Sequence, residues 1–86
     1  KLIVFFTDDS QLHAREYIGQ TERSYSFHWQ TGNNLICRWD NAPHHIQLKT
    51  FPNHMHTPAG LEESPPVTLQ EVLDYIESKI EQASSG

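Results

Sequence analysis

Apolar and polar residues alternate along much of the first forty positions of the chain. The segment QLHAREYI places Leu12 and Ala14 on one side and His13 and Arg15 on the other. The segment RSYSFHWQ, which begins at Arg23, alternates in the same way. Because successive side chains of a strand point to opposite faces, both segments are predicted to be β-strands with one buried face.

Two further strands and short connections complete a meander. KLIVFF at residues 1–6 is predicted to be a buried strand, and LICRWD at residues 35–40 to be a fourth strand. TGNN at residues 31–34 is typical of a tight hairpin, and residues 7–10 and 19–22 have the composition of turns. Strands joined by such short connections pair with their neighbours, so a four-stranded antiparallel sheet is predicted.

A helix is predicted near the end of the chain. Thr68 and Glu71 have the spacing of a capping box, and an apolar stripe follows them at helical spacing. We therefore predict a helix from Thr68 to Gln82 that packs on one face of the sheet, which gives an α+β fold. We expect a single domain over residues 1–82, N-terminally incomplete because a strand opens the chain, and a frayed tail at residues 83–86.

The alternation assigns the strand residues to two faces. The apolar face, predicted to lie against the helix, holds Tyr25, Phe27, Trp29, Leu35, Cys37 and Trp39. The opposite, polar face is predicted to display His13, Arg15, Ser26, His28, Gln30, Arg38 and Asp40. An antiparallel sheet commonly leaves one face outside the core, so this polar face is either solvated or used for binding.

Composition narrows the class of protein. The 86 residues make one small domain with a formal charge of −5, all of it contributed by residues 62–86. Residues 1–61 have no net charge. A nucleic-acid site would therefore be a local patch and not the whole surface. A single cysteine excludes an internal disulfide, and the apolar runs are too short for a membrane span, so we expect a cytoplasmic protein without membrane contact.

Residues 41–66 show neither the two-residue alternation of a strand nor the apolar spacing of a helix. They contain all five prolines and four of the six histidines. They are predicted to form a long loop, and such loops are usually functional or partly disordered. His54 and His56 would point the same way in an extended chain, and Asp40 or Glu62 could complete a zinc site. Adjacent His44 and His45 would point apart, however. We therefore expect no metal or other cofactor, and no effect of a chelator on the melting temperature.

Acid–base chemistry is the other function that these residues suggest. Two histidines and a cation can cleave a phosphodiester by proton transfer, because histidine titrates near neutrality and arginine stabilises the developing charge. The candidate catalytic residues are His28, Arg38, His44, His45, His54 and His56. The alternative is a non-enzymatic protein-interaction module, in which the histidines of loop 41–66 hydrogen-bond backbone groups and order the loop. Convergence of the candidates around an open cleft would favour chemistry.

Three strings, YSFHWQ, LICRWDNAPHH and TFPNHMH, resemble the TumE-like family of small prokaryotic toxins of type II toxin–antitoxin pairs. The resemblance covers about residues 10–80. It departs from the family pattern at Ile46, Asn53 and Met55. The matching residues are Tyr25, His28, Trp29, Gln30, Arg38, Trp39, Asp40, Asn41, Ala42, Pro43, His44, His45, Thr50, Phe51, Pro52, His54 and His56.

The resemblance implies a toxin that forms a complex with a cognate antitoxin protein. Many small toxins of such pairs cut RNA, so it also suggests an endoribonuclease that acts without metal, although this step is an analogy across folds. RNA is then the expected second partner, and a homodimer is left open.

Overall fold

The computed structural model describes residues 1–85, which form one antiparallel sheet and a C-terminal helix. Within those residues the sheet has six strands in sequential order. None of the described helices is long and apolar enough to cross a membrane. The elements are β1 (Leu2–Phe5), β2 (Ser10–Ile18), β3 (Arg23–Thr31), β4 (Asn34–Asp40), β5 (His54–Thr57), β6 (Gly60–Glu63) and α1 (Leu69–Ser85).

The α+β class and the antiparallel meander are confirmed, but the prediction of four strands is wrong. β5 and β6 form a further hairpin inside the segment expected to be a loop, and β5 pairs with β4. Each has four residues, and together they offer two apolar side chains, Met55 and Leu61. Strands this short and this polar do not show the alternation of apolar and polar residues from which a strand is predicted. Within the predicted loop, the irregular parts are thus residues 41–53, before β5, and residues 64–66, after β6.

A bulge in β4 decides which of its side chains reach the core. Gln30 pairs with Leu35, whereas Trp29 pairs with Cys37, so Ile36 is an extra residue between two pairs. Ile36 packs against the core cluster. The assignment of Leu35 to the core face is therefore wrong, because the bulge shifts the register between these two residues.

The helix lies on the apolar face, as predicted. Trp29 and Ile76 belong to the same buried cluster, and the ring of Tyr75 meets Trp29 and Trp39 edge-on. The capping box is formed: Glu71 N–H donates to Thr68 Oγ1 at 3.1 Å and Thr68 N–H donates to Glu71 Oε1 at 2.8 Å. The helix continues to Ser85, past its predicted end, and Gly86 of the predicted tail lies outside the described residues.

β1 is an edge strand that is only partly covered. Phe5 is 72% exposed and Leu2 and Ile3 are also exposed, whereas Val4 and Phe6 pack against the core. The expectation of a buried strand at this position is wrong. A run of apolar residues cannot by itself distinguish a buried strand from an edge strand.

Truncation of Ile76 tests the packing of the helix. The side chain is fully buried, so we expect Ile76→Ala to lower the free energy of unfolding by about 2–5 kcal/mol through lost contacts and a residual cavity. Chemical denaturation measures this. The matched control is Ser78→Ala at an exposed position of the same helix, which should change stability by less than about 0.5 kcal/mol. A small effect of Ile76→Ala would mean that the helix does not pack as described.

Candidate functional site

Two rows of polar side chains run across the sheet on the face opposite the helix. The first row, in register, is His13, His28, Arg38 and His56 on β2, β3, β4 and β5. The second row is Arg15, Ser26, Asp40 and His54 on the same four strands. Side chains in directly opposed positions of neighbouring strands lie close together. The predicted polar face is thus extended by β5, which adds two of the histidines that were expected in a loop.

Arg38 connects the two rows. Its Nη1 lies 3.2 Å from His28 Nδ1 and its Nε donates to Asp40 Oδ2 at 3.0 Å. Because a guanidinium can only donate, His28 Nδ1 accepts, and the hydrogen of the neutral ring is on Nε2. His28 and Arg38 are therefore brought into direct contact, as the acid–base hypothesis requires.

Asp40 is the centre of a second group, which we call the Asp40 cluster: Asp40, His45, His54 and His56. Its carboxylate side chain is 7% exposed. Oδ1 lies 2.9 Å from His54 Nε2 and Oδ2 lies 3.8 Å from His56 Nε2. Ala42 N–H also donates to Oδ1 at 3.0 Å. A buried carboxylate is costly unless it has such partners, and here two imidazoles, a guanidinium and a backbone N–H surround it.

His54 differs from the other candidate histidines because both of its ring nitrogens are engaged. The side chain is 2% exposed, and Nδ1 donates to the Pro52 carbonyl at 2.9 Å while Nε2 faces Asp40. A ring held in this way cannot exchange protons with a substrate without breaking a buried contact. His54 is therefore poorly placed to act as an acid or a base.

The loop histidines behave differently from each other. His45 turns back over the sheet, with its ring centroid 4.8 Å from that of His54 and 5.8 Å from that of His56. His44 is exposed, and its ring centroid lies 6.5 Å from that of His45. The structure thus brings His45, His54 and His56 together and leaves His44 at the surface.

An open cleft of about 390 Å³ lies over His13, His28 and Arg38 of the first row, and we call it the His28 cleft. A neighbouring cavity of about 440 Å³ extends from it toward Pro43 and shares Arg15, Ser26 and Arg38 with it. The two cavities adjoin at these three residues, and the second is also lined by the carboxylates of Glu16 and Asp40. The His28 cleft is lined by Lys1, His13, Arg15, Ser26, His28, Gln30 and Arg38.

The pKa values of two histidines on the polar face are lowered. Burial, then the charges of Arg38 and His13, lower the pKa of His28 below 6.5. Burial also lowers the pKa of His56, against the opposing effect of Asp40. Both imidazoles are thus predominantly neutral at pH 7, which is the form that can accept a proton or bind a metal ion.

Other residues of the quoted strings order the backbone. Asn41 Nδ2 donates to the Arg23 carbonyl at 2.7 Å, and its Oδ1 accepts from Tyr25 N–H at 3.0 Å. Tyr25 O–H donates to Asn53 Oδ1 at 2.8 Å. These contacts satisfy backbone groups where the loop leaves the sheet. They are what the interaction-module hypothesis expects of the loop, and the bond from His54 Nδ1 to the Pro52 carbonyl is of the same kind.

Two residues considered from the sequence lie away from the site. Glu62 pairs in register with Met55, on the apolar side of β5, and its Oε2 accepts from Thr57 Oγ1 at 3.0 Å. Cys37 is buried on the same side, and burial, then the charge of Glu62, raise its pKa to about 11. Glu62 is therefore not positioned to join His54 and His56, and the Cys37 thiol is neither a ready nucleophile nor a ligand.

Sequence reasoning did not count His13 among the catalytic candidates. The structure places it opposite His28 and within the same cleft, with its Nε2 3.2 Å from Gln11 Oε1. The length of the connection between β2 and β3 is enough to predict this position. Ile18 pairs with Arg23 across a four-residue turn, and counting back from that pair places His13 beside His28.

The family model described as Toxin TumE matches residues 1–83. No curated protein and no solved structure matches the chain. The match covers nearly the whole chain, including every residue of the His28 cleft and of the Asp40 cluster.

Proposed function

The chain belongs to the TumE toxin family, and from this premise we propose that it is the toxin of a type II toxin–antitoxin pair and cleaves RNA in the His28 cleft. The family indicates a toxin role and, in general, an antitoxin partner. The proposal of RNA cleavage rests on the contact between Arg38 and His28, which places a fixed cation beside a neutral imidazole in the open His28 cleft.

The charge of the cleft suits a phosphodiester. Lys1, Arg15 and Arg38 contribute three cationic side chains, and the described lining carries no carboxylate. Positive side chains along a groove neutralise backbone phosphates without reading the bases, and they support binding of a single strand. The net negative charge of the protein does not oppose this, because the acidic residues are concentrated in residues 62–86.

The proposed reaction is a transfer to the adjacent 2′-hydroxyl. Arg38 moves from His28 to a phosphate oxygen, which frees His28 Nδ1 to take the proton of the 2′-hydroxyl. The 2′-oxygen attacks phosphorus, the bond from phosphorus to the 5′-oxygen breaks, and protonated His13 gives its proton to that leaving oxygen. The products are a 2′,3′-cyclic phosphate and a free 5′-hydroxyl. Arg38 stabilises the added negative charge, and no metal takes part in the step.

Growth arrest on induced expression tests the toxin role, with relief when the neighbouring antitoxin gene is co-expressed. Incubation of the purified protein with a labelled single-stranded RNA tests the cleavage. Products ending in a cyclic phosphate support the proposal. Growth arrest and antitoxin binding without cleavage of any RNA offered would instead support the interaction module, in which the polar face docks a partner.

The pH dependence of cleavage tests the role given to His28. A base is active in its unprotonated form, so the acid limb of kcat/KM should follow the pKa of His28, and the rate should fall as the pH drops through it. Because the folded pKa of His28 is lowered, the acid limb should lie below pH 6.5. A pH–rate profile measures the limb, and a thermal melt at each pH shows that the protein stays folded. An acid limb above pH 7 would contradict the assignment.

A further inference from the structure

The Asp40 cluster has the composition of a transition-metal site. One ring nitrogen from each of His45, His54 and His56 can be chosen so that all three lie within 4.8 Å of one another. Ligand atoms at about 2.1 Å from a tetrahedral zinc ion are separated by about 3.4 Å, so the three nitrogens need only a modest closure. His45 lies in loop 41–53, where a side-chain adjustment is easiest.

The environment of His54 supplies a second, independent observation. Metal-binding histidines usually donate their other ring N–H to a carbonyl or a carboxylate, which orients the free nitrogen toward the ion. His54 Nδ1 donates to the Pro52 carbonyl in this way. In the neutral ring, Nε2 then carries the lone pair and faces Asp40 Oδ1, another acceptor, at 2.9 Å. Two facing acceptors require a positive species between or beside them, and a divalent cation supplies it as well as a proton does.

We propose that His45, His54, His56 and a carboxylate oxygen of Asp40 bind one divalent cation of the zinc class. Imidazole nitrogens with a carboxylate are ligands that suit zinc and its neighbours. Asp40 Oδ1 lies 2.9 Å from His54 Nε2 and Asp40 Oδ2 lies 3.8 Å from His56 Nε2, so each oxygen lies near one of the two β5 imidazoles at roughly the spacing of two ligands of a tetrahedral ion. Four protein ligands leave no open position, so the ion is structural and ties loop 41–53 to β4 and β5.

This proposal reverses the expectation drawn from the sequence. That expectation rested on the two adjacent loop histidines pointing apart, and it lacked the strand that carries His54 and His56. The proposed site needs only one histidine from loop 41–53, not two. The proposal is independent of RNA cleavage, which is assigned to His13, His28 and Arg38.

The test compares His45→Ala with His44→Ala in untagged protein. The two residues are neighbours in the same loop, and the proposal makes one a ligand and leaves the other exposed. We expect the parent and His44→Ala to retain one zinc ion per chain after dialysis. His45→Ala should bind zinc at least about 100-fold more weakly. Elemental analysis and a zinc titration followed by calorimetry measure both.

Thermal melts and cobalt spectra provide readouts that adventitious binding would not move. Zinc at about 100 times its dissociation constant should raise the melting temperature of the parent by about 10 °C, and a chelator should remove the gain. Cobalt(II) should give the intense visible bands of a tetrahedral ion. Absence of stoichiometric zinc, equal weakening by both substitutions, or an unchanged melting temperature would each overturn the proposal.

Discussion

Replacement of His28 by alanine is expected to slow RNA cleavage by about 10²–10⁴-fold and to abolish growth arrest, since it removes the proposed base. The fold should tolerate the change. His28 lies on the polar face and its ring contacts Arg38, so the free energy of unfolding should change by no more than about 1 kcal/mol. Cleavage rates under single-turnover conditions and a denaturation curve measure the two effects separately.

Arg38→Ala should abolish cleavage as well, but with a cost in stability. Its Nε donates to a carboxylate that is 7% exposed, and loss of a hydrogen bond to such a charge typically costs about 1–3 kcal/mol. The sequence alone places Arg38 off the core face, which predicts a cost within about 1 kcal/mol. His44→Ala is the control that should leave cleavage and stability near the parent values. Full cleavage by His28→Ala, or its unfolding, would remove His28 from the mechanism.

The two faces of the sheet could be predicted because their alternation is local. Tyr25, Phe27, Trp29, Cys37 and Trp39 are buried against the helix, as the period of two required. The same is true of the helix, whose capping box and apolar stripe lie within one continuous segment. These features depend on residues that are near one another in the chain, so one sequence suffices to find them.

The register of β4 could not be predicted from the turn alone. Thr31 pairs with Asn34, and continuing that register would place Arg38 opposite Phe27, on the side of the core. The bulge at Ile36 shifts the pairing by one residue, and Arg38 comes to lie opposite His28. Apolar alternation indicated which side chains are buried, but the contact that defines the site depends on where the extra residue is accommodated.

The division of the histidines between the His28 cleft and the Asp40 cluster also could not be predicted from the sequence. His54 and His56 are on a strand whose pairing partner, β4, lies across a 13-residue loop, and His45 reaches them only because that loop folds back. The sequence offered all four histidines of residues 41–66 as candidate catalytic residues. In the structure one is buried, one is exposed and two are intermediate, which gives them different chemistry.

His54→Ala is expected to be the most damaging of the histidine substitutions for stability. It removes the partner of the Pro52 carbonyl and takes the imidazole away from Asp40 Oδ1, which keeps only the Ala42 N–H, at a position that is 2% exposed. Breaking a buried pair by removing one member typically costs about 3–5 kcal/mol, because the remaining charge stays buried. Chemical denaturation of metal-free protein measures this cost without any contribution from a bound ion.

His56→Ala is the matched comparison, two residues along the same strand. Its side chain is 33% exposed and its Nε2 lies 3.8 Å from Asp40 Oδ2, beyond hydrogen-bond distance, so in metal-free protein the cost should stay below about 1 kcal/mol. The contrast also separates structure from chemistry. Loss of toxicity in His54→Ala with a proportionate loss of folded protein means that His54 supports the fold. A stable, inactive His54→Ala would instead make His54 a catalytic residue and would contradict its assignment here.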